Sequence, residues 1–252
     1  MSMLRNRLIL LSILFWTYLA ITSVLLSVLG WVLFLLTAPF DRRRRVMHLF
    51  TSLWAFHYVW LMPIWRVSIE GRERIPNHIS YVMVSNHQSL LDILVLFGLF
   101  KNFKWVSKSE IFRIPFVGWN MLLCDYVSLS RGRKAGMLRM MRDCRRHIER
   151  GSSVLIFPEG TRSEDGELRR FRDGAFILAR STGVDIIPIA IDGTSDALPK
   201  HGLLFKRSSA QKIRVKVLEP IRSDVADIER LTQNVHAMIK TEVAAFRSKD
   251  AS

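Results

Sequence analysis

The 252-residue chain has room for one good-sized domain and an additional segment. With 37 Lys and Arg against 22 Asp and Glu it carries a formal charge of +15, so it attracts polyanions: nucleic acid, anionic lipid head groups or phosphorylated substrates. Apolar residues make up 49% of the whole and crowd into the first 65 positions, which selects lipid from those partners and disfavours nucleic acid, for which there is no recognised binding motif.

No charged residue stands between Arg7 and Asp41. Residues 8–40 therefore read as membrane-embedded, since about 20 apolar residues span a bilayer. The run is too long for the core of a secretory signal peptide. Residues 42–45 are all arginine. A second uncharged stretch, 46–65, holds Trp54, Tyr58, Trp60 and Trp65, the amphipathic aromatics of membrane interfaces. Two arrangements fit. The first run spans the bilayer and leaves the arginines in the cytosol, or two helices form a hairpin in one leaflet with the arginines on anionic lipid heads. Charges at both ends of the first run favour the hairpin. A soluble buried pair is disfavoured, because core helices rarely stay uncharged all round for so long. Residues 1–65 are thus expected to be a two-helix membrane anchor and residues 66–252 a globular domain on the cytosolic face.

Beyond residue 65 short β-rich runs alternate with helical ones. The predicted strands are 66–70, 81–84, 104–106, 126–129, 154–157, 186–191 and 213–218, several of them continuously apolar as in strands covered on both faces. Predicted helices occupy 90–99, 134–149, 171–181 and 224–246. In the last, Ile228, Leu231, Val235, Ile239, Val243 and Phe246 recur at helical spacing and mark a packing helix. The alternation argues for an α/β sandwich. Cys124 and Cys144 form neither a disulfide framework nor a zinc pattern and read as small buried hydrophobes.

Two blocks carry chemistry. The block from Asn86 through His87 to Asp92 follows a predicted strand and opens a helix, at the strand end where α/β sheets bind ligands. Histidine suits proton removal near neutral pH. Asp92, one helical turn on, fits a carboxylate that orients the imidazole, and it fits equally a helix cap with Ser89. No G-x-S-x-G elbow is present, so the simplest nucleophile is a hydroxyl on the substrate. The block from Phe157 to Ser163 follows another strand. Gly160 permits a tight turn near an anion, and Arg162 matches phosphate oxygens. Glu159 is placed to orient an arginine or a substrate hydroxyl. The same residues also fit a plain polar turn. Lys108, Arg131 and Arg133 fall at strand ends, where each alone is a surface charge and several together would make a phosphate site.

At these residues the sequence resembles the glycerolipid acyltransferases, in particular those that use 1-acylglycerol-3-phosphate. Asn86, His87 and Asp92 match the family's Asn-His-x4-Asp block. Lys108, Glu110, Pro115, Gly118 and Arg131 are similar to its second block, with Ser130 where an Asp is usual. Residues 157–163 match its Phe-Pro-Glu-Gly-Thr-Arg-Ser block in full, and residues 187–189 its apolar strand with a central proline. The resemblance covers about residues 70–191. It implies a mixed α/β sheet sandwiched by helices behind a two-helix membrane motif. It also implies His87 as base with Asp92 orienting it, and Glu159, Gly160, Thr161 and Arg162 holding the acceptor's glycerol phosphate with Arg131 and Lys108 assisting. The donor would be acyl-CoA or an acyl carrier protein, with no metal and no other cofactor. Rival readings are a relative acting on another lysolipid, such as lyso-ornithine lipid, and a non-catalytic basic protein of membrane surfaces.

Overall fold

The computed structural model describes residues 2–132, 134–206, 211–224 and 226–251. Its seven strands are β1 (Trp65–Glu70), β2 (Val82–Ser85), β3 (Phe103–Lys108), β4 (Val127–Leu129), β5 (Ser153–Ile156), β6 (Ile186–Asp192) and β7 (Gln211–Val217). They form one sheet in the order β1-β7-β6-β2-β5-β3-β4. Every run predicted as a strand is one, with ends shifted by a residue or two. From β6 through β4 the strands run parallel, and β7 turns antiparallel to β6 and pairs in parallel with β1. The sheet is therefore mixed.

The helices are α1 (Ser2–Thr37), α2 (Arg45–Trp60), α3 (Leu91–Phe97), α4 (Val117–Leu123), α5 (Lys134–Glu149), α6 (Gly174–Thr182), α7 (Thr194–Ala197) and α8 (Ile228–Ala251). α4 and α7 have no counterpart among the predicted helices. α7 is too short to show a period. α4 leaves Val117, Trp119 and Leu122 exposed, so its apolar residues do not mark a buried stripe. Predicted helix 224–246 starts later, at Ile228, and Val225 lies outside the described residues.

Central strands are apolar on both faces because helices cover both. Val82 and Val84 of β2 point into a core shared with α5, α6 and α8, while Met83 between them points into a core shared with α2 and α3. β7 instead alternates, burying Ile213, Val215 and Val217 between Lys212, Arg214 and Lys216. That alternation suits a strand covered on one side. Cys124 and Cys144 are free and buried, packed as small hydrophobes.

The connections make a crevice. From β2 the chain crosses by α3, on one face, to β3. From β5 it crosses by α6, on the opposite face, to β6. β2 and β5 are neighbours, so their crossovers diverge between them. A crevice at such a switch point, beyond the carboxyl ends, is where open α/β sheets hold ligands. The loops that open there begin with Asn86 and with Phe157.

α1 is not an ordinary amphipathic helix. Its inward side buries Ser12, Ser23, Ser27 and Thr37, and Phe15 wedges among Trp65 and Phe205. Its outward side exposes Leu10, Leu14, Ile21, Leu25, Val28, Leu35 and Leu36. Leu11, Trp16, Leu19, Leu26 and Phe34 also pack against the core, so the helix is apolar on both sides, and its exposed apolar side suits surroundings other than water. It is also long and apolar enough to cross a membrane, with a mean hydropathy of 2.5 over its most apolar window. α2 is shorter and amphipathic: Trp54, Tyr58 and Val59 join the core, while Leu49, Leu53 and Trp60 face outward.

Burial of the outer face of α1 in lipid is not weakened by ions, whereas arginine contacts to lipid heads are screened. Washing membranes with salt at about 1 M, where the screening length falls to roughly 3 Å, should therefore leave the protein in the pellet. Detergent should release it. Quantitative release by salt alone would contradict a buried apolar face.

Candidate functional site

The loop after β2 is set by Asn86. Its Nδ2 donates to the carbonyl of Ile191 at 2.8 Å, and the Ile191 N–H donates to its Oδ1 at 2.9 Å. This double bond to β6 holds the next residue, His87, over the crevice. His87 Nδ1 lies 2.8 Å from Asp92 Oδ2. That oxygen also accepts the N–H groups of Gln88 at 2.7 Å and Ser89 at 2.9 Å. The other oxygen accepts the hydroxyl of Thr194, at the start of α7. Asp92 is 0% exposed. Three donors converge on Oδ2 and one on Oδ1, so both oxygens of the carboxylate are hydrogen-bonded. Asp92 thus touches the imidazole and also holds the loop before α3, so the orienting and the capping readings meet in one side chain. With Nδ1 donating to Asp92, His87 keeps Nε2 as its acceptor.

The loop after β5 grips His87 from the other side. The ring of Phe157 stacks on the imidazole, centroids 3.9 Å apart and planes inclined by 10°. Glu159 Oε1 accepts the His87 N–H at 2.8 Å, and the Ser163 N–H donates to the His87 carbonyl at 2.8 Å. Glu159 Oε2 accepts the N–H of Arg169 at 3.3 Å. The sequence placed Glu159 on the substrate, but its carboxylate is turned inward and both oxygens are taken by backbone. Burial pushes its pKa up to about 7, against the pull of those two N–H groups.

Gly160 adopts φ 72°, a left-handed turn that few other residues tolerate. Thr161 and Arg162 follow, both half-buried, on the open side of the loop. Lys108 ends β3, and Arg131 follows β4, which pairs with β3 so that Leu129 lies opposite Lys108. Both basic side chains are therefore at the same carboxyl edge as His87. Partial burial and the nearby charge of Arg172 lower the Arg131 pKa, while Glu110 opposes them. Arg133 lies outside the described residues. An open depression of about 570 Å³ beside this edge is lined by Glu159, Arg169, Arg170, Phe171, Arg172 and Asp173. Among the described residues no cluster of three or more His, Cys, Asp and Glu side chains could hold a metal ion.

Sequence reasoning missed Thr194, Arg169 and Arg172. Thr194 is 102 positions from Asp92, and no local spacing announces it. Arg169 and Arg172 carried one visible signal, three arginines within four residues, which reads first as a solvated face.

A family model described as Acyltransferase matches residues 66–192, half of the chain. The chain belongs to the acyltransferase family. It is 38% identical over 208 residues to a chloroplastic 1-acyl-sn-glycerol-3-phosphate acyltransferase of Arabidopsis thaliana, covering 81% of this chain and 56% of that protein. It is 29% identical to a 1-acyl-sn-glycerol-3-phosphate acyltransferase of Pseudomonas aeruginosa, covering 82% of this chain and 80% of the relative. The crystal structure of the 1-acyl-sn-glycerophosphate acyltransferase PlsC from Thermotoga maritima superposes with a TM-score of 0.69 at 26% identity, over 91% of this chain and 98% of that one. The chain thus spans a little over half the length of the Arabidopsis relative and nearly all of the bacterial structure. The mixed α/β fold is shared with PlsC.

Replacing Glu159 by Gln should destabilise the protein, because the N–H of His87 or of Arg169 must then face an amide NH2. Leaving one such donor unsatisfied costs roughly 1–3 kcal/mol. The effect should depend on pH. A carboxyl raised from 4.5 to about 7 holds its proton in the folded state over that window, so its contribution is full below 4.5 and fades as pH rises towards 7. Melting curves of both proteins across that range should show the wild-type advantage shrinking with pH. A constant gap would mean that Glu159 folds in its charged form.

Proposed function

We propose that this protein transfers a fatty acyl group from a thioester, acyl-CoA or acyl carrier protein, to the sn-2 hydroxyl of 1-acylglycerol-3-phosphate, and so makes phosphatidic acid for phospholipid synthesis. The observation that carries the reading is His87, bonded through Nδ1 to a buried carboxylate, with Nε2 left to accept a proton at the switch point of the sheet. The names of the relatives supply the substrate class, since their printed activity is this one.

His87 Nε2 takes the proton of the acceptor hydroxyl as its oxygen attacks the thioester carbonyl. Asp92 holds the ring in the required tautomer and stabilises the imidazolium. The tetrahedral intermediate collapses, the carbon–sulfur bond breaks, and the imidazolium returns the proton to the departing thiolate. No acyl-enzyme forms and no cofactor takes part. Lys108, Arg131, Gly160, Thr161 and Arg162 hold the glycerol phosphate. Glu159 acts through His87, by fixing its backbone.

Residues 1–65 are the membrane anchor and residues 66–252 the catalytic domain, on the cytosolic face. The anchor enters one leaflet. α1 is tied to the domain by Ser12 to Phe205 and Trp16 to Leu203, with Gly30 close to Asn120 of α4, and within the anchor Thr22 bonds Tyr58. A helix of 36 residues is about 54 Å long, and one fastened along this length cannot cross the bilayer without dragging polar surface into it.

Purified protein given a radiolabelled acyl donor and a panel of lysolipids tests the assignment, and lysophosphatidic acid should be the preferred acceptor. A preference for a phosphate-free lysolipid would overturn it. His87→Ala should lose about 10²–10⁴-fold in turnover while remaining folded and membrane-bound. Asp92→Asn should keep its loop, because Oδ1 can accept the same N–H groups and Thr194 can reverse its hydroxyl bond. Without the charge it should still lose most activity. Full activity in either variant would sink the proton-transfer roles.

A further inference from the structure

The segment after the Glu159 loop doubles back over it. Arg172 donates its backbone N–H to the Pro158 carbonyl at 3.0 Å, which places its side chain beside Gly160. A Cβ at Gly160 would stand 2.9 Å from the guanidinium carbon of Arg172. The absent side chain is what lets the guanidinium lie against the turn. Arg172 is exposed, and among the described residues its guanidinium has no hydrogen-bond or ion-pair partner.

Its surroundings are short of negative charge. Arg131 is close enough to feel its repulsion, and only Glu110 counters that. Of the two carboxylates lining the depression, Glu159 is occupied by backbone N–H groups and Asp173 accepts the Thr232 hydroxyl at 3.2 Å. The N–H groups of Thr161 and Arg162 are likewise without partners among the described residues. Crowded guanidiniums and free N–H groups at a left-handed turn make a site that an anion would relieve.

We propose that Arg172 is a further substrate-binding residue, which with Arg131 clamps the acceptor's phosphate over Gly160. The inference rests on the reading of a phosphorylated acceptor. Geometry favours acceptor over donor. Only two carbons and one ester oxygen separate the reacting hydroxyl from phosphorus, so the phosphate must lie close to His87. The turn at Gly160 belongs to the loop that grips His87 on both backbone sides. A guanidinium fork holds two phosphate oxygens at once, whereas an ammonium is a point charge.

The test uses the full chain in detergent, with Arg172→Gln and Arg172→Lys. With lysophosphatidic acid varied, Arg172→Gln should raise KM about 10-fold, equivalent to roughly 1.4 kcal/mol, and Arg172→Lys should raise it less. The KM for acyl-CoA should stay near the wild-type value. Independently of turnover, inorganic phosphate should raise the melting temperature of the wild type more than that of Arg172→Gln. An unchanged acceptor KM with undiminished phosphate stabilisation overturns the proposal, and so does a rise confined to the donor KM. If the wild type fails to acylate lysophosphatidic acid, the acceptor reading falls, while phosphate stabilisation still decides whether Arg172 binds the anion. Should Arg172→Gln fail to fold, Arg172→Lys alone decides: it keeps the charge and loses the fork, and an acceptor KM equal to wild type would be fatal.

Discussion

A charged carboxylate removed from water is costly unless each oxygen finds donors. Asp92 is wholly buried, and the donors that make this tolerable come from separate parts of the chain. His87, Gln88 and Ser89 belong to the loop after β2, and Thr194 to the turn after β6. Burying Asp92 therefore shapes the loop, aims the imidazole and ties two strand ends together in one step. The grip of Phe157, Glu159 and Ser163 adds the third strand end, that of β5. His87 is held through its ring, its N–H and its carbonyl, so its Nε2 has a defined position before substrate arrives, as catalysis by orientation requires.

The membrane helix is connected to this centre through ordinary bonds. Ser12 Oγ accepts the N–H of Phe205, and Trp16 donates to the Leu203 carbonyl. Lys206 donates its N–H to the carbonyl of Ala197 at the end of α7. One residue later, the Leu198 carbonyl accepts the hydroxyl of Ser89 at 2.6 Å. Serial contacts thus run from α1 to the loop that Asp92 holds. These contacts join the exposed apolar side of α1 to the loop that carries His87.

The charge of +15 acquires a local meaning at the carboxyl edge. Lys108, Arg131, and Arg162 with Arg172 come from three separate stretches of chain, and the sheet order brings their backbones to one side of the molecule. Glu159, in the same loop as Arg162, is withdrawn by its two backbone bonds. The surface left behind is cationic, and beside a turn whose N–H groups are open it suits phosphate better than any neutral head group.

The seven strands were legible because the central ones are short apolar runs, as covered strands require, and the outer ones alternate apolar with polar residues. The apolar helix α1 was legible because so long a run without charge suits lipid or core. His87 with Asp92 was legible as a spacing, but the spacing alone could not separate an oriented base from a helix cap. The fold decided by using the carboxylate for the ring and the loop together. How α1 sits against the rest of the chain also depended on contacts with residues nearly two hundred positions away, such as Leu203 and Phe205. Thr194 and the inward turn of Glu159 belong to the same class. By itself the sequence determined which segments are strands, which run is apolar enough to embed in lipid and which blocks are candidates for chemistry, because periodicity, charge and residue type are local. The tertiary structure alone decided which donors reach Asp92, where Glu159 points and which guanidiniums meet, because those depend on strand order and crossover side, and no local pattern encodes either.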